Sequence, residues 1–255
     1  MNTQMQAAVQ EFTEELQAMS DLAKSFASKE LVANREENDH YPFGGLFTDT
    51  IKNAAGVGFY AVNFPAEYGG IGRGESALVS ILEELSLADA SMAAIIFTNA
   101  AALEIINQAS HDTDCKAIYK ILSANNALPV AFPAFTGIGE MEMPVVDKEG
   151  NISGRINFLS LGSVAGYAVV PGTESTKDNK VSFYLLDLNE KGIEKSEPVY
   201  SLGLHACPGV DIFLDNVPAT LIGAQGEGSK YFNVMQSRLS LGAAAMSLGI
   251  LKGSF

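Results

Sequence analysis

The stretch FPAEYGGIG at residues 64–72 is the most informative segment for the fold, because it is a glycine-rich loop set between helical patterns. Its last three residues, Gly70-Ile71-Gly72, lack the third glycine and the preceding strand of a dinucleotide-binding fingerprint. This loop therefore gives no support to a Rossmann-type site. We interpret it as a structural connection between helices rather than as a catalytic loop.

Helical patterns lie on both sides of this loop. Apolar residues recur at spacings of three and four from Met5 to Phe26, which predicts one face of a long amphipathic helix. Asp89 is a plausible N-cap between two later helical segments. The predicted helices after the first are at residues 46–55, 77–87, 90–108 and 114–123. Residues 1–129 are thus predicted to form an N-terminal helical domain.

Beyond residue 129 the chain changes to short runs rich in Val, Ile, Phe and Tyr, separated by turn signals such as KEGN at residues 148–151. No helical period intervenes, so residues 130–224 are predicted to form an antiparallel β barrel or sandwich. The runs are at residues 130–135, 152–158, 167–170, 181–186 and 210–214. With helices before and after this region, the predicted fold class is α+β.

A helical pattern returns at Tyr231 and runs to the last residue without a stop signal. Residues 225–255 are therefore predicted to be the first helix of a C-terminal helical domain, in a chain that is either a fragment or completed by a partner. One apolar stripe is expected to be buried in another polypeptide; it consists of Met235, Leu239, Ala243, Met246 and Ile250.

Composition excludes several classes of function. A formal net charge of -14 repels phosphate backbones, so nucleic-acid binding is not expected. The two cysteines, Cys115 and Cys207, form neither a disulfide framework nor a CxxC metal motif. No basic amphipathic stretch and no signal-peptide block is present, and the apolar run at 243–251 is broken by Gly249. We expect a cytoplasmic protein without membrane insertion.

Four segments together resemble the acyl-CoA dehydrogenase family. The loop at 64–72 is similar to the family's P-x-E-Y-G-G-x-G loop, and FLSLG at 158–162 stands where the family has W-I-T-N-G. The segment from Leu202 to Pro218 resembles the strand and V-P turn that close the family's β domain. The fourth is GEG at 226–228, which is followed by Arg238 and Leu239 and resembles the opening of the third domain.

The resemblance implies an FAD site on the β domain. Phe158 replaces the family's Trp as an aromatic platform, and Ser160 keeps a hydroxyl that can hydrogen-bond the flavin ring. The family's T-E-P-G-A-G-S turn matches residues 134–140, which keep Gly137 and Gly139 but carry Ala134 for the Thr and Glu140 for the Ser. An anionic Glu140 beside a cofactor phosphate would be repulsive. Ordinary strand and turn packing is the alternative interpretation for all of these residues.

The same resemblance implies a substrate site for an acyl-CoA. The acyl chain would run past Phe97 and Ala101, and Arg238 would bind the CoA side, although a solvated helix arginine is an equal alternative. The family's usual catalytic Glu lies in the third domain, and its other base position corresponds to Ser237, so no catalytic residue is assigned.

Two functions remain open. The first is a subunit of a flavin-dependent acyl-CoA dehydrogenase, active with a C-terminal helical half from another chain in a homo- or hetero-oligomer. It would pass electrons to electron-transfer flavoprotein or a similar acceptor. The second is a non-catalytic structural or binding subunit that keeps the fold without its own flavin or base.

Overall fold

Helices come first, strands second and one long helix last in the computed structural model, which describes residues 3–34, 36, 47–72, 74–124, 129–134, 142–174 and 180–255. The helices are α1 (Thr3–Phe26), α2 (Phe47–Gly56), α3 (Gly74–Ala88), α4 (Ala90–Ala109), α5 (Lys116–Ala124) and α6 (Gly228–Gly253). The strands are β1 (Phe132–Pro133), β2 (Val145–Val146), β3 (Asn151–Ser160), β4 (Tyr167–Glu174), β5 (Val181–Asp187), β6 (Ile193–Lys195), β7 (Gly209–Pro218) and β8 (Thr220–Ile222). This order confirms the predicted α+β class.

Helix α4 is the centre of the helical part. Its predicted cap is present, because Asp89 Oδ1 accepts hydrogen bonds from the Ser91 N–H at 2.7 Å and the Met92 N–H at 3.3 Å. The buried Asn99 side chain donates to the Tyr60 carbonyl and accepts from the Val130 N–H, both at 2.9 Å. Helix α4 therefore fixes where the chain enters the β region.

The strands form one open sheet in the order β6-β7-β3-β2-β4-β5-β8, with β1 paired to β3. The β2–β4 pair and the Ala131–Ala168 bridge are parallel, and the other pairs are antiparallel. Strand β2 lies between β3 and β4, which run in opposite directions, so it must be parallel to one of them. The expectation of an antiparallel barrel or sandwich is therefore corrected: the sheet is mixed. Strands β2, β6 and β8 were not predicted.

A single apolar core runs from α1 through the sheet to α6. It includes Phe26 of α1, Ile96 of α4, Phe183 of β5 and Leu239 of α6. The division into domains at residues 129 and 224 stays a prediction, because the core is continuous across both positions.

Helix α6 packs closely on α3 through small residues. A Cβ added at Gly249 would lie 2.3 Å from the Glu83 carbonyl oxygen, and one at Gly253 would lie 2.3 Å from the Leu87 carbonyl oxygen. Only glycine permits this approach of two backbones.

Two described helices, α4 and α6, are long and apolar enough to cross a membrane by length and composition alone. In α4, 78% of the most apolar 18-residue segment is buried inside the protein.

Candidate functional site

A cavity of about 700 Å³ lies between helix α4, helix α6 and the ends of β1 and β3. Five residues predicted for the cofactor or substrate site line it, although they come from distant parts of the chain: Phe97, Ala101, Ala134, Phe158 and Ser160. Its volume falls in the usual range of roughly 300–1,000 Å³ for small-molecule sites. The individual roles of these residues stay predictions.

The sheet side of the cavity contains a β-bulge at Phe158. Pairing of β3 with β7 shifts register between Ile156, opposite Ile212, and Leu159, opposite Val210. Phe158 has a φ of 49°, in the left-handed region that residues with a Cβ rarely adopt. Bulges of this kind redirect a side chain out of its normal alternation. Here the bulge presents the Phe158 ring to the cavity.

Two hydrogen bonds hold the bulge in place, and a glycine leaves room for its ring. The Asp211 Oδ1 atom accepts a hydrogen bond from the Phe158 N–H at 2.8 Å, and the Phe158 carbonyl accepts one from the Ala134 N–H at 3.0 Å. Beneath the ring, a Cβ added at Gly209 would lie 2.8 Å from the Phe158 Cε1 atom. The backbone hydrogen bond from Phe158, followed by Arg155, holds the pKa of Asp211 below its usual range.

The helical side of the cavity is formed by α6. Met235, Leu239, Ala243, Met246 and Ile250, the stripe expected to be buried in another polypeptide, all line the cavity. Met235 and Leu239 are already buried within this chain. The expectation that another polypeptide buries this stripe was therefore wrong for Met235 and Leu239, because α4 and the sheet of the same chain cover them.

A different apolar stripe, along α6 and just beyond its last residue Gly253, is exposed. Leu241, Leu248, Leu251 and Phe255 have exposed fractions of 61%, 43%, 56% and 103%, and they recur at spacings of three, four and seven. This stripe lies on another side of the helix from the glycines that contact α3. Three clustered leucines and a phenylalanine in water are the usual sign of a surface that another protein covers.

The loop at residues 201–207 closes one end of the cavity. Burial raises the pKa of the Cys207 thiol to about 12, although a hydrogen bond with Thr98 opposes the shift. A thiol with such a pKa is protonated at neutral pH and is a poor nucleophile. His205 Nε2 lies 2.7 Å from the Ser201 carbonyl oxygen. The loop thus forms a boundary of the cavity, and we assign no chemistry to His205 or Cys207.

No carboxylate is among the described residues that line the cavity. Polar groups are present as Ser160 on the sheet side and as Gln236, Ser240 and Ser247 on α6. Ser237, which the family resemblance places at a possible base position, is exposed and is not a lining residue. Within the described part of the chain, the cavity therefore offers hydroxyl and amide groups but no general base.

Arg238 lies outside this cavity. Its guanidinium is 3.1 Å from the buried Glu104 carboxylate and also pairs with Glu75, in a separate polar cleft of about 260 Å³. Because successive helix residues are offset by about 100°, Arg238 projects roughly 200° away from Gln236. The contact between Arg238 and CoA stays a prediction. In the structure Arg238 forms ion pairs with Glu75 and Glu104 of its own chain.

Gly137, Gly139 and Glu140, the remaining predicted cofactor residues, lie outside the described residues. The predicted phosphate turn therefore stays a prediction from the sequence.

Comparison with known proteins gives a consistent result. Residues 13–124 match the model of the acyl-CoA dehydrogenase N-terminal domain. The chain is 26% identical to 3-(aryl)acrylate reductase of Clostridium sporogenes, over 95% of this chain and 67% of the relative. It is 24% identical to the caffeyl-CoA reductase-Etf complex subunit CarC of Acetobacterium woodii, over 95% and 67%. It is 25% identical to the mitochondrial short/branched chain specific acyl-CoA dehydrogenase of Bos taurus, over 98% and 60%.

Solved structures show the same fold. The glutaryl-CoA complex of glutaryl-coenzyme A dehydrogenase superposes with a TM-score of 0.78 at 21% identity, covering 94% of this chain and 64% of that one. The FAD complex of PigA gives 0.75 at 18% identity, covering 93% and 65%. The chain thus spans about two thirds of the length of these proteins. Together these matches support an assignment to the acyl-CoA dehydrogenase family.

Proposed function

We propose that this chain is a subunit of an FAD-dependent oxidoreductase that acts on the Cα–Cβ bond of an acyl-CoA thioester. The observation that carries the proposal is the cavity of about 700 Å³, in which the Phe158 ring and the Ser160 hydroxyl face the apolar residues Phe97 and Ala101 across one space. A flat redox cofactor and an acyl chain need this combination of an aromatic platform, a hydrogen-bonding group and an apolar channel.

The residues present fit a flavin ring. Phe158 offers an apolar face held by the bulge, and Ser160, which is buried beside it, offers a hydroxyl that can donate or accept a hydrogen bond. Bound FAD would supply hydride acceptance, which none of the described side chains that line the cavity can provide. The protein's part is to fix the orientation of the ring and to exclude water from the space in front of it.

The acyl chain would lie along the helical side of the cavity. Phe97 and Ala101 on α4 and Met235, Leu239 and Met246 on α6 give this side an apolar surface. Burial of an acyl chain against such a surface stabilises its binding by about 0.8 kcal/mol per methylene. The general base that removes the proton alpha to the thioester would come from outside the described lining, since no carboxylate faces the cavity there.

A helical partner surface is part of the proposal. The exposed stripe of Leu241, Leu248, Leu251 and Phe255 lies on a different side of the helix from the cavity lining, because Leu248 is offset by roughly 200° from both Met246 and Ile250. A partner that covers this stripe would have to extend around α6 to reach the proposed substrate. We propose that further helical residues, in a homo- or hetero-oligomer, cover this stripe and supply the base. Electron-transfer flavoprotein or a similar acceptor is the proposed electron partner, and the cytoplasm the proposed location.

A non-catalytic subunit is the second candidate. It is favoured by the lack of a carboxylate among the described lining residues and by Glu140 at the family's phosphate turn. Such a subunit would keep the fold beside an active dehydrogenase without binding FAD.

Titration of the apo-protein with FAD, followed by flavin fluorescence, tests the proposal. Saturable binding is expected, and Ser160→Ala is expected to weaken it by about tenfold through loss of one hydrogen bond. Ser240→Ala is the matched control, because that hydroxyl lines the same cavity but donates to the Ser237 carbonyl at 2.7 Å. Absence of FAD binding by the wild-type chain, alone and with its partner, would favour the non-catalytic candidate.

Two further measurements test the proposed division of labour. The chain alone should not turn over acyl-CoA with an artificial electron acceptor, and steady turnover would contradict the external base. Leu248→Glu should reduce self-association or partner binding in light scattering. Leu202→Glu is the control, because Leu202 is 97% exposed in the loop at 201–207 and is not part of the stripe.

A further inference from the structure

The bulge that presents Phe158 depends on a carboxylate from the neighbouring strand. We propose that Asp211 is a positioning residue of the cavity, which acts by holding the Phe158 backbone in its left-handed conformation and so fixes the ring against the cavity. The structural part of this inference is independent of the cofactor; its consequence for FAD rests on the proposed function.

Phe158 has a conformation that its own sequence does not favour. A φ of 49° at a residue with a bulky side chain costs free energy and persists only where neighbouring contacts stabilise it. Glycine or asparagine would adopt this conformation more easily, yet the chain carries phenylalanine here. The stabilising contact must therefore come from outside the segment.

Asp211 supplies that contact with one carboxylate oxygen and is itself oriented by the other. Its Oδ1 accepts from the Phe158 N–H at 2.8 Å, and its Oδ2 pairs with the Arg155 guanidinium. Its backbone N–H donates to the Ser196 hydroxyl and its carbonyl accepts from the Ser196 N–H, both at 2.9 Å. Asp211 is thus fixed through its backbone and through its side chain.

Arg155 is held in turn on the outer side of the sheet. Its guanidinium carbon lies 5.2 Å from the centre of the Phe213 ring, in a cation–π contact. The order of contacts runs from Phe213 through Arg155 and Asp211 to the backbone of Phe158. None of the first three residues lines the cavity, so their effect on it is indirect.

Removal of the Asp211 acceptor would leave the Phe158 N–H without its partner. The bulge could then relax toward negative φ, which would rotate the ring away from its present direction. The space under the ring is limited by Gly209, so the ring has little freedom except to move outward into the cavity or toward solvent.

The absence of tryptophan from the chain makes the ring position measurable. Phe158→Trp introduces a single tryptophan at the platform, and its emission and its quenching by acrylamide report the exposure of the ring without any cofactor. Adding Asp211→Ala to this parent should increase the quenching constant by about twofold, since the strained conformation is no longer stabilised. Adding Asp211→Asn should leave it near the parent value, because the amide oxygen can still accept from the N–H.

Asp215→Ala is the matched control, because Asp215 is an exposed carboxylate on the same strand, four residues along. If Asp211→Ala does not fold, Asp211→Glu takes its place, because it keeps the charge but displaces the acceptor oxygen by one methylene; it should also increase quenching. Equal quenching in the parent and in the Asp211→Ala or Asp211→Glu variant would overturn the inference. An equal change in Asp215→Ala would also overturn it.

The FAD arm separates this inference from the proposed function. With Phe158 in place, Asp211→Ala should weaken FAD binding by about tenfold, and Asp211→Asn should not. Quenching changes without FAD binding in any variant would support the positioning role and contradict the proposed function. FAD binding that is tight and equal in wild type and Asp211→Ala, with unchanged quenching, would contradict only the positioning role.

Discussion

The two sides of the cavity are held in place by different physical means. The sheet side depends on hydrogen bonds to a strained backbone at Phe158, with Asp211 as the acceptor and Gly209 leaving room for the ring. The helical side depends on close packing, because Gly249 and Gly253 let α6 lie directly against the backbone of α3. Hydrogen bonds thus determine the geometry of the sheet side, whereas glycines that allow close backbone packing determine the geometry of the helical side.

This difference predicts different failures. Loss of a hydrogen bond on the sheet side should change the direction of one ring and leave most of the fold intact. An added side chain at the α3–α6 contact should separate two helices and lower the stability of the whole chain, because packed interiors cannot absorb even one extra methyl group without cost.

The largest effect is expected at Gly249. In Gly249→Ala, the new Cβ would lie 2.3 Å from the Glu83 carbonyl oxygen, and a backbone atom cannot move aside as a side chain can. We expect a loss of about 3 kcal/mol in the free energy of unfolding, measured as a lower urea midpoint at an unchanged m-value. Gly56→Ala at the end of α2 is the control, because nothing lies within 4 Å of its Cβ; it should be neutral or slightly stabilising. Equal midpoints for the two variants would contradict the packing account.

A smaller loss of stability is expected at Arg238, on the side of α6 away from the cavity. Arg238→Gln leaves the buried Glu104 carboxylate without its cation, 3.1 Å away in the wild type. The cost should be about 1–2 kcal/mol, below that of a fully buried pair, because the arginine side chain is 45% exposed. Affinity for FAD should not change, and Arg238→Lys should recover part of the stability. Weaker binding of acyl-CoA by both variants would instead support the CoA contact inferred from the family resemblance.

A change of geometry with little loss of stability is expected at Gly209. Gly209→Ala places a Cβ 2.8 Å from the Phe158 ring, which can move aside, so the free energy of unfolding should fall by only about 1 kcal/mol. The displaced ring should nevertheless weaken FAD binding by about tenfold. Gly203→Ala is the control, because Gly203 lines the same cavity and nothing lies within 4 Å of its added Cβ. This variant should change neither the free energy of unfolding nor the affinity for FAD.

The sequence predicted the helical side of the molecule better than the sheet side. Helices α1 to α5 repeat an apolar residue every three or four positions, so local periodicity is enough to locate them. Strands β2, β6 and β8 have two or three residues each, too few to show an alternation. The bulge at Phe158 depends on Asp211, 53 residues later, and no local signal such as a glycine marks it.

The candidate site was predicted from family motifs rather than from periodicity. Phe158 and Ser160 were found through the similarity of FLSLG to the family's motif, and the structure places them with Phe97 and Ala101. Arg238 was assigned to the CoA side of the substrate, although its helical position, roughly 200° from Gln236, already separates it from the cavity side of α6. The glycines of α6 are visible in the sequence, but which helix they contact is a long-range property.

The smallest effect is expected in how the stability of the protein depends on pH through Asp211. The Phe158 N–H and Arg155 hold the folded-state pKa of Asp211 below its value in the unfolded chain. Its carboxylate therefore stabilises the fold at neutral pH, and this stabilisation is lost as the pH falls from about 5 through the folded-state pKa. Asp211→Asn has no charge to lose, so the difference in Tm between wild type and this variant should be positive at pH 7 and shrink toward zero in acid. Asp215→Asn, on the same strand but exposed, is the matched control and should change Tm only slightly at pH 7. A difference for Asp211→Asn that stays constant or grows on acidification would show that ionisation of Asp211 does not contribute to the stability of the fold.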